Sequence, residues 1–99
     1  MAQLTVVYWR DIPAQVIVKI GRTKESRKLD ERFEQAIDMA AMRSGASETD
    51  AYLEEWRRDV SSVEGDLAQI ADETAKRLEE EFTQERVKDL INNGGHAAS

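Results

Sequence analysis

The chain holds one histidine, His96, and no cysteine. A catalytic or metal-bound imidazole needs a second group to fix its tautomer, and a Gly/Ala/Ser tail supplies none. Without cysteine there is no thiolate nucleophile, no zinc site of the Cys type and no disulfide framework. Carboxylates are plentiful: Asp30, Glu31, Glu34 and Asp38, then Glu54 and Glu55, Asp72 and Glu73, and the run Glu79 to Glu81. Helical di-metal centres combine such acids with a Glu-x-x-His, which this sequence lacks, so solvated helix faces are the better reading. Gly21 and Gly94-Gly95 fit neither common phosphate-loop pattern, and the serines have no partner base. The residues therefore point to no catalysis by the chain alone, no catalytic residue, no metal and no cofactor.

Two segments are richer than a fold requires. Trp9, Arg10, Asp11, Ile12 and Pro13 set an aromatic, a cation and an acid beside a rigid proline, at what reads as an exposed turn. Trp and Arg dominate binding hot spots, which makes these five the candidate partner-binding residues. The structural alternative is that Trp9 packs under the helices and Arg10 pairs with Asp11. The second segment, Lys19, Arg22, Lys24, Arg27 and Lys28, is a basic strand end and loop. These are the candidate anion-binding residues, suited to an acidic protein surface or a small phosphate-bearing ligand. Single-stranded nucleic acid is disfavoured, because stacking platforms near these cations are limited to Tyr8 and Trp9.

The charge balance adds to this. Lys and Arg number 14 against 20 Asp and Glu, a net charge of −6, which opposes non-specific binding to nucleic acid. Through Lys28 the chain is nevertheless basic, with Asp11 and Glu25 its sole acids, and the excess of acid lies beyond. Such polarity can steer charged partners or a second copy of the chain. At 99 residues, 40% hydrophobic and 34% charged, the chain is long enough for one core, expected over residues 1–95 with a loose tail at 96–99. No apolar run approaches the ~20 residues that span a bilayer, and the start does not resemble a signal peptide, so a cytoplasmic protein with no membrane role is expected.

The elements that position these residues read as follows. Leu4 to Trp9 is β-branched and aromatic, and Gln15 to Ile20 alternates Val16, Val18 and Ile20 against Gln15, Ile17 and Lys19. Both are strand patterns, giving an antiparallel hairpin over about 3–9 and 15–20 with a five-residue connection around Pro13. Arg22 to Arg27 reads as a polar loop. Leu29, Phe33, Ala36, Ile37 and Ala40 share one helical face, with Met39 and Met42 near its edge. Ser47 to Asp50 opens a shorter helix that buries Tyr52, Leu53 and Trp56 and ends on Arg57 and Arg58. Ser61 with Glu64 has capping-box spacing for a longer helix through Leu67, Ile70, Ala71, Thr74, Leu78 and Phe82. A break is expected near Thr83, before Val87, Leu90 and Ile91. The class is α+β, a hairpin followed by three to four helices packed on one face.

A lone hairpin is marginal in water, and its open edges are pairing sites. The hairpin edge is therefore expected to be completed by a second copy, as a homodimer, or by a larger protein.

The strings VVYWRDIPAQVIVK, RFEQAIDMAAMRSG and TDAYLEEWRR resemble the bacterial "virulence factor" domain family over about residues 3–60. The resemblance implies the small stand-alone form found in alphaproteobacteria, a module that works alongside other proteins. It carries no catalytic residues to transfer. Stand-alone members lie near folate and corrinoid genes, which implies the alternative of an accessory subunit of one-carbon methyl-transfer machinery, holding an anionic ligand through residues 19–28. The principal expectation is a non-catalytic interaction module that docks through the hairpin edge and the Trp9–Pro13 tip.

Overall fold

The structure, a computed structural model, describes residues 2–45 and 49–96. In chain order it contains β1 (Ala2–Trp9), β2 (Ile12–Ile20), β3 (Thr23–Lys28), α1 (Glu31–Arg43), α2 (Thr49–Glu54), β4 (Trp56–Val63), α3 (Leu67–Glu81) and α4 (Gln84–Asn92). The class is α+β with an N-terminal antiparallel hairpin, as the patterning indicated. The hairpin sits at the centre of a four-stranded antiparallel sheet, ordered β3-β2-β1-β4.

Alternation decides which face is buried. Leu4 pairs with Val18 and Val6 with Val16, and all four are buried. Over them α3 lays Ala71, Thr74, Ala75 and Leu78, small enough for the helix to approach the sheet closely. At the end of the sheet α1 packs Phe33, Ala36, Ile37 and Ala40 inward, as its spacing required. Phe33 meets Phe82 edge-on with ring centroids 6.2 Å apart. Arg32 donates to the Phe82 and Glu79 carbonyls at 2.7 Å each, satisfying acceptors that the end of α3 leaves open. Burial of each large side chain contributes about 1.5–3 kcal/mol.

Four expectations are corrected. The β1–β2 connection is two residues, Arg10 and Asp11, rather than five, because Ile12 and Pro13 already pair with Trp9 and Tyr8 across a bulge. Proline is tolerated there because β3 pairs with β2 no further than Gln15, leaving Pro13 locally at an edge. The polar segment read as a loop is largely the edge strand β3. Trp56, Arg57 and Arg58 belong to β4, and so does Ser61, read as a helix cap. The cap of α3 is instead Asp66, whose side chain accepts from the Gln69 N–H at 3.0 Å. Ser47 and Glu48, read as opening the short helix, lie outside the described residues, as do residues 97–99 of the tail. The expected break is present: Thr83 caps α4 by accepting from the Arg86 N–H.

With β3 on one side and β4 on the other, both hairpin edges are paired within the chain. The edge that a second copy or a larger protein was expected to complete is occupied.

Phe33→Ala is expected to destabilise the fold by about 3–5 kcal/mol. Leu53, read as buried but 61% exposed, should change stability by less than about 0.5 kcal/mol as Ala. Urea unfolding followed by circular dichroism distinguishes the two.

Candidate functional site

The Trp9–Pro13 segment is a turn by sequence and an anchor by structure. Trp9 is 0% exposed. Its indole N–H donates to the Tyr52 carbonyl at 3.0 Å, and its ring stacks on Tyr52 with centroids 5.8 Å apart. Ile12 and Pro13 are buried as well. These three side chains are covered by the chain itself, which corrects the reading of the turn as an exposed tip. The cover comes from segments distant in sequence that the local pattern does not reveal: α2 through Tyr52, the start of β4 and the chain after α4.

Arg10 adopts φ +54°, a left-handed conformation that costs an L-residue about 1 kcal/mol. The cost is met by contacts on two sides. Its backbone N–H donates to the Glu55 carbonyl at 3.0 Å, and its guanidinium donates to the Gly94 carbonyl at 2.5 Å. Its buried Nε stands 3.4 Å from Glu55 Oε2, an ion-pair contact without hydrogen-bond geometry. The Asp11 N–H donates to the Gly95 carbonyl at 2.8 Å. Arg57 donates to the Arg10 carbonyl at 2.8 Å and meets Asp11 at 3.2 Å, with its guanidinium 4.4 Å from the Tyr8 ring centre. Burial pushes the Tyr8 hydroxyl pKa above its ordinary value, Asp59 adds to this, and Arg57 opposes it.

The five candidate anion-binding residues separate. Register places Lys19, Lys24 and Lys28 on the sheet face away from α3, while Arg27, paired with the buried Val16, points towards the helices. Arg27 is bound to Asp72 at 2.6 Å and to Glu25 at 3.0 Å, and these bonds raise its pKa above the ordinary guanidinium value. Arg22 lies in the β2–β3 turn. A cation that the sequence reading had placed at a helix end joins the three lysines: Arg58 of β4 stands opposite Val7.

This outer face is built from three cross-strand rows. They run Lys24-Lys19-Gln3-Ser62, Ser26-Ile17-Thr5-Val60 and Lys28-Gln15-Val7-Arg58. The twelve positions hold four cations and no acid, in a chain of net charge −6. Val7, Ile17 and Thr5 are half-buried, and Val60 is 54% exposed. Among the described residues Lys19, Lys24 and Arg58 form no ion pair, and Lys28 reaches Glu34 at 3.9 Å between two exposed side chains. Like charges such as Lys19 and Lys24 directly opposite are unfavourable, so fold stability does not account for this arrangement.

At one end of the face lies a cleft of about 190 Å³, lined by Val7, Gln15 and Lys28 of the sheet, by Ile37 and Asp38 of α1, and by Tyr52 and Trp56. The two aromatic rings meet edge-on at 5.9 Å. Burial raises the Tyr52 hydroxyl pKa, with Asp38 and Glu34 adding to it. The cleft has the size of one amino-acid side chain and a mixed lining, with Val7, Ile37 and the two rings beside Lys28 and the acids Glu34 and Asp38.

No group of three metal-ligating side chains occurs among the described residues, and His96 is exposed. No described helix is long and apolar enough to cross a membrane. A model of a family described as virulence factor matches residues 7–91. No curated protein and no solved structure matches the chain.

Because Arg10 holds the turn, Arg10→Ala is expected to lower stability by about 1.5–3 kcal/mol, the usual effect of losing a hydrogen bond made by a charged group. Arg10→Gly should recover about 1 kcal/mol of that loss, because glycine takes positive φ freely. Equal stability of Arg10→Ala and the original chain in chemical denaturation would contradict the anchoring role.

Proposed function

This chain belongs to the virulence factor family, and we propose that it serves as a non-catalytic docking module whose outer sheet face seats on an acidic surface of a larger protein. The observation that carries this is the composition of that face: Lys19, Lys24, Lys28 and Arg58 with no acid among twelve register positions. The half-buried Ile17 and Thr5 with the exposed Val60 supply the centre, and the cations form the rim. An apolar centre with a charged rim is the usual anatomy of a protein interface.

Scale supports a protein surface over a small ligand. Four strands at about 4.8 Å spacing put Lys28 and Arg58, the two ends of one cross-strand row, on the order of 14 Å apart, more than one phosphate or carboxylate can bridge. The folate or corrinoid alternative uses the same cations to hold a polyanionic ligand such as a polyglutamate tail. A flat array across all four strands fits it less well. Pairing of this face with a second copy would set cations against cations, so the partner proposed is a different, acidic protein. The adjoining cleft between Tyr52 and Trp56 has room for one anchoring side chain of that partner.

The experiment is a capture assay with a charge-reversed face. Converting Lys19, Lys24 and Arg58 together to Glu is expected to reduce partner recovery at least about tenfold, and capture by the original chain should weaken as salt rises. Reversing Lys76 and Arg77 on α3 should leave recovery unchanged. Equal recovery by the face-reversed variant, with its fold intact by circular dichroism, would remove the basis of the proposal.

A further inference from the structure

A second surface lies on different elements. Helices α1 and α4 pack side by side and leave a groove of about 320 Å³ along their seam. On α1 the lining follows i, i+3, i+4, i+7 from Arg32 to Met39, and on α4 the same spacing runs from Gln84 to Ile91. The groove continues past Met42 and Arg43. Met39 is 54% exposed and Met42 70%, an unusual outlay of apolar surface for a chain of this size, since exposed clusters of large apolar residues mark interaction sites. Methionine is flexible and polarizable, and it is over-used on surfaces that accept helices.

The spacing indicates what the groove accepts. Two helices that each present an i, i+3, i+4, i+7 ridge form the seat of a third, as in helix-in-groove recognition. The 13 residues of α1 make it roughly 20 Å long, matching about three to four turns of an incoming helix. Charge then selects the occupant. Among the described residues the lining includes Arg32, Arg43 and Lys88 and no acid, Asp38 lying on the far side of Met42 in a separate depression. Arg43 and Lys88 form no ion pair among the described residues, while Arg32 is fixed by the end of α3. Two copies meeting groove to groove would match cations with cations. We propose that the α1–α4 groove binds an amphipathic helix of another protein, one whose apolar stripe covers Met39, Met42 and Ile91 and whose flanks are acidic. This surface is separate from the sheet face and does not rest on it.

The test uses a fluorescein-labelled 18-residue helical peptide with Leu at i, i+3, i+4 and i+7 and Glu on the flanks, together with a twin carrying Lys for Glu. Both are titrated against the full chain by fluorescence anisotropy. The Glu peptide is expected to saturate, the Lys twin to bind at least about tenfold more weakly, and the preference to shrink as salt rises. The double variant Met39→Gln, Met42→Gln alters exposed side chains, so it should unfold as the original does while losing at least about tenfold in affinity for the Glu peptide. The chain with Lys19, Lys24 and Arg58 reversed should bind the Glu peptide as before. Failure of the Glu peptide to bind, equal binding of the twins, or indifference to the methionine variant would each overturn the proposal. So would self-association of the chain that the methionine variant abolishes, which would make a second copy the occupant.

Discussion

One side chain, Arg10, holds three distant parts of the chain in register. It occupies the first position of a two-residue turn with a positive φ, and it is bonded to Glu55 on one side and to Gly94 on the other. Trp9 lies under the same clamp, and Gly95 packs so closely that a Cβ there would stand 2.9 Å from the indole. That approach, together with φ +94°, restricts the position to glycine. The clamp brings the end of α4 against the hairpin turn and aligns β4 beside β1, which puts Arg58 and Trp56 at the outer face.

Charge is sorted between the two sides of the sheet. The outer strand positions are basic and α3 carries acids on the other side, Asp72 and the run at its end among them, while Glu34 and Asp38 of α1 border the outer face at its cleft. On the inner face each charge of β3 finds a partner, as Arg27 does with Asp72 and Glu25. Such exposed pairs contribute little to stability, but they settle which way β3 faces. Charged edge strands also discourage edge-to-edge aggregation, and both edges here are charged, β3 through Lys24, Arg27 and Lys28 and β4 through Arg57, Arg58 and Asp59. Among the described residues Lys19, Lys24 and Arg58 form no ion pair. Placing them together opposes folding slightly, a pattern more consistent with recognition than with architecture.

Much of the fold could be read from the residues, and the failures share a cause. Strands β1 and β2, helix α1 and the break between α3 and α4 bury a clear apolar face, so periodicity exposes them. The segment TKESRK has no apolar side chain, and WRRDVSSV has apolar residues at three of eight positions. Both are edge strands that contribute backbone hydrogen bonds more than buried surface, so hydrophobic pattern under-reports them. Overlooking them had two consequences. The hairpin looked unpaired, which suggested a second copy, and the Trp9–Pro13 turn looked exposed, because its cover comes from α2, β4 and the chain after α4. The basic residues of 19–28 read as one group in the sequence, but a loop has no faces. Register alone separates Lys19, Lys24 and Lys28 from Arg27 and adds Arg58.

The sheet presents a basic outer face whose role is proposed to be recognition of an acidic protein surface. The most direct measurement of that claim is a titration of the ¹⁵N-labelled chain with a ten-residue polyglutamate peptide at low salt, followed by amide chemical shifts. The account predicts perturbations centred on Lys19, Lys24 and Arg58 and their cross-strand neighbours, fading as salt is raised. Perturbations confined to the helices, or none on the sheet, would contradict it.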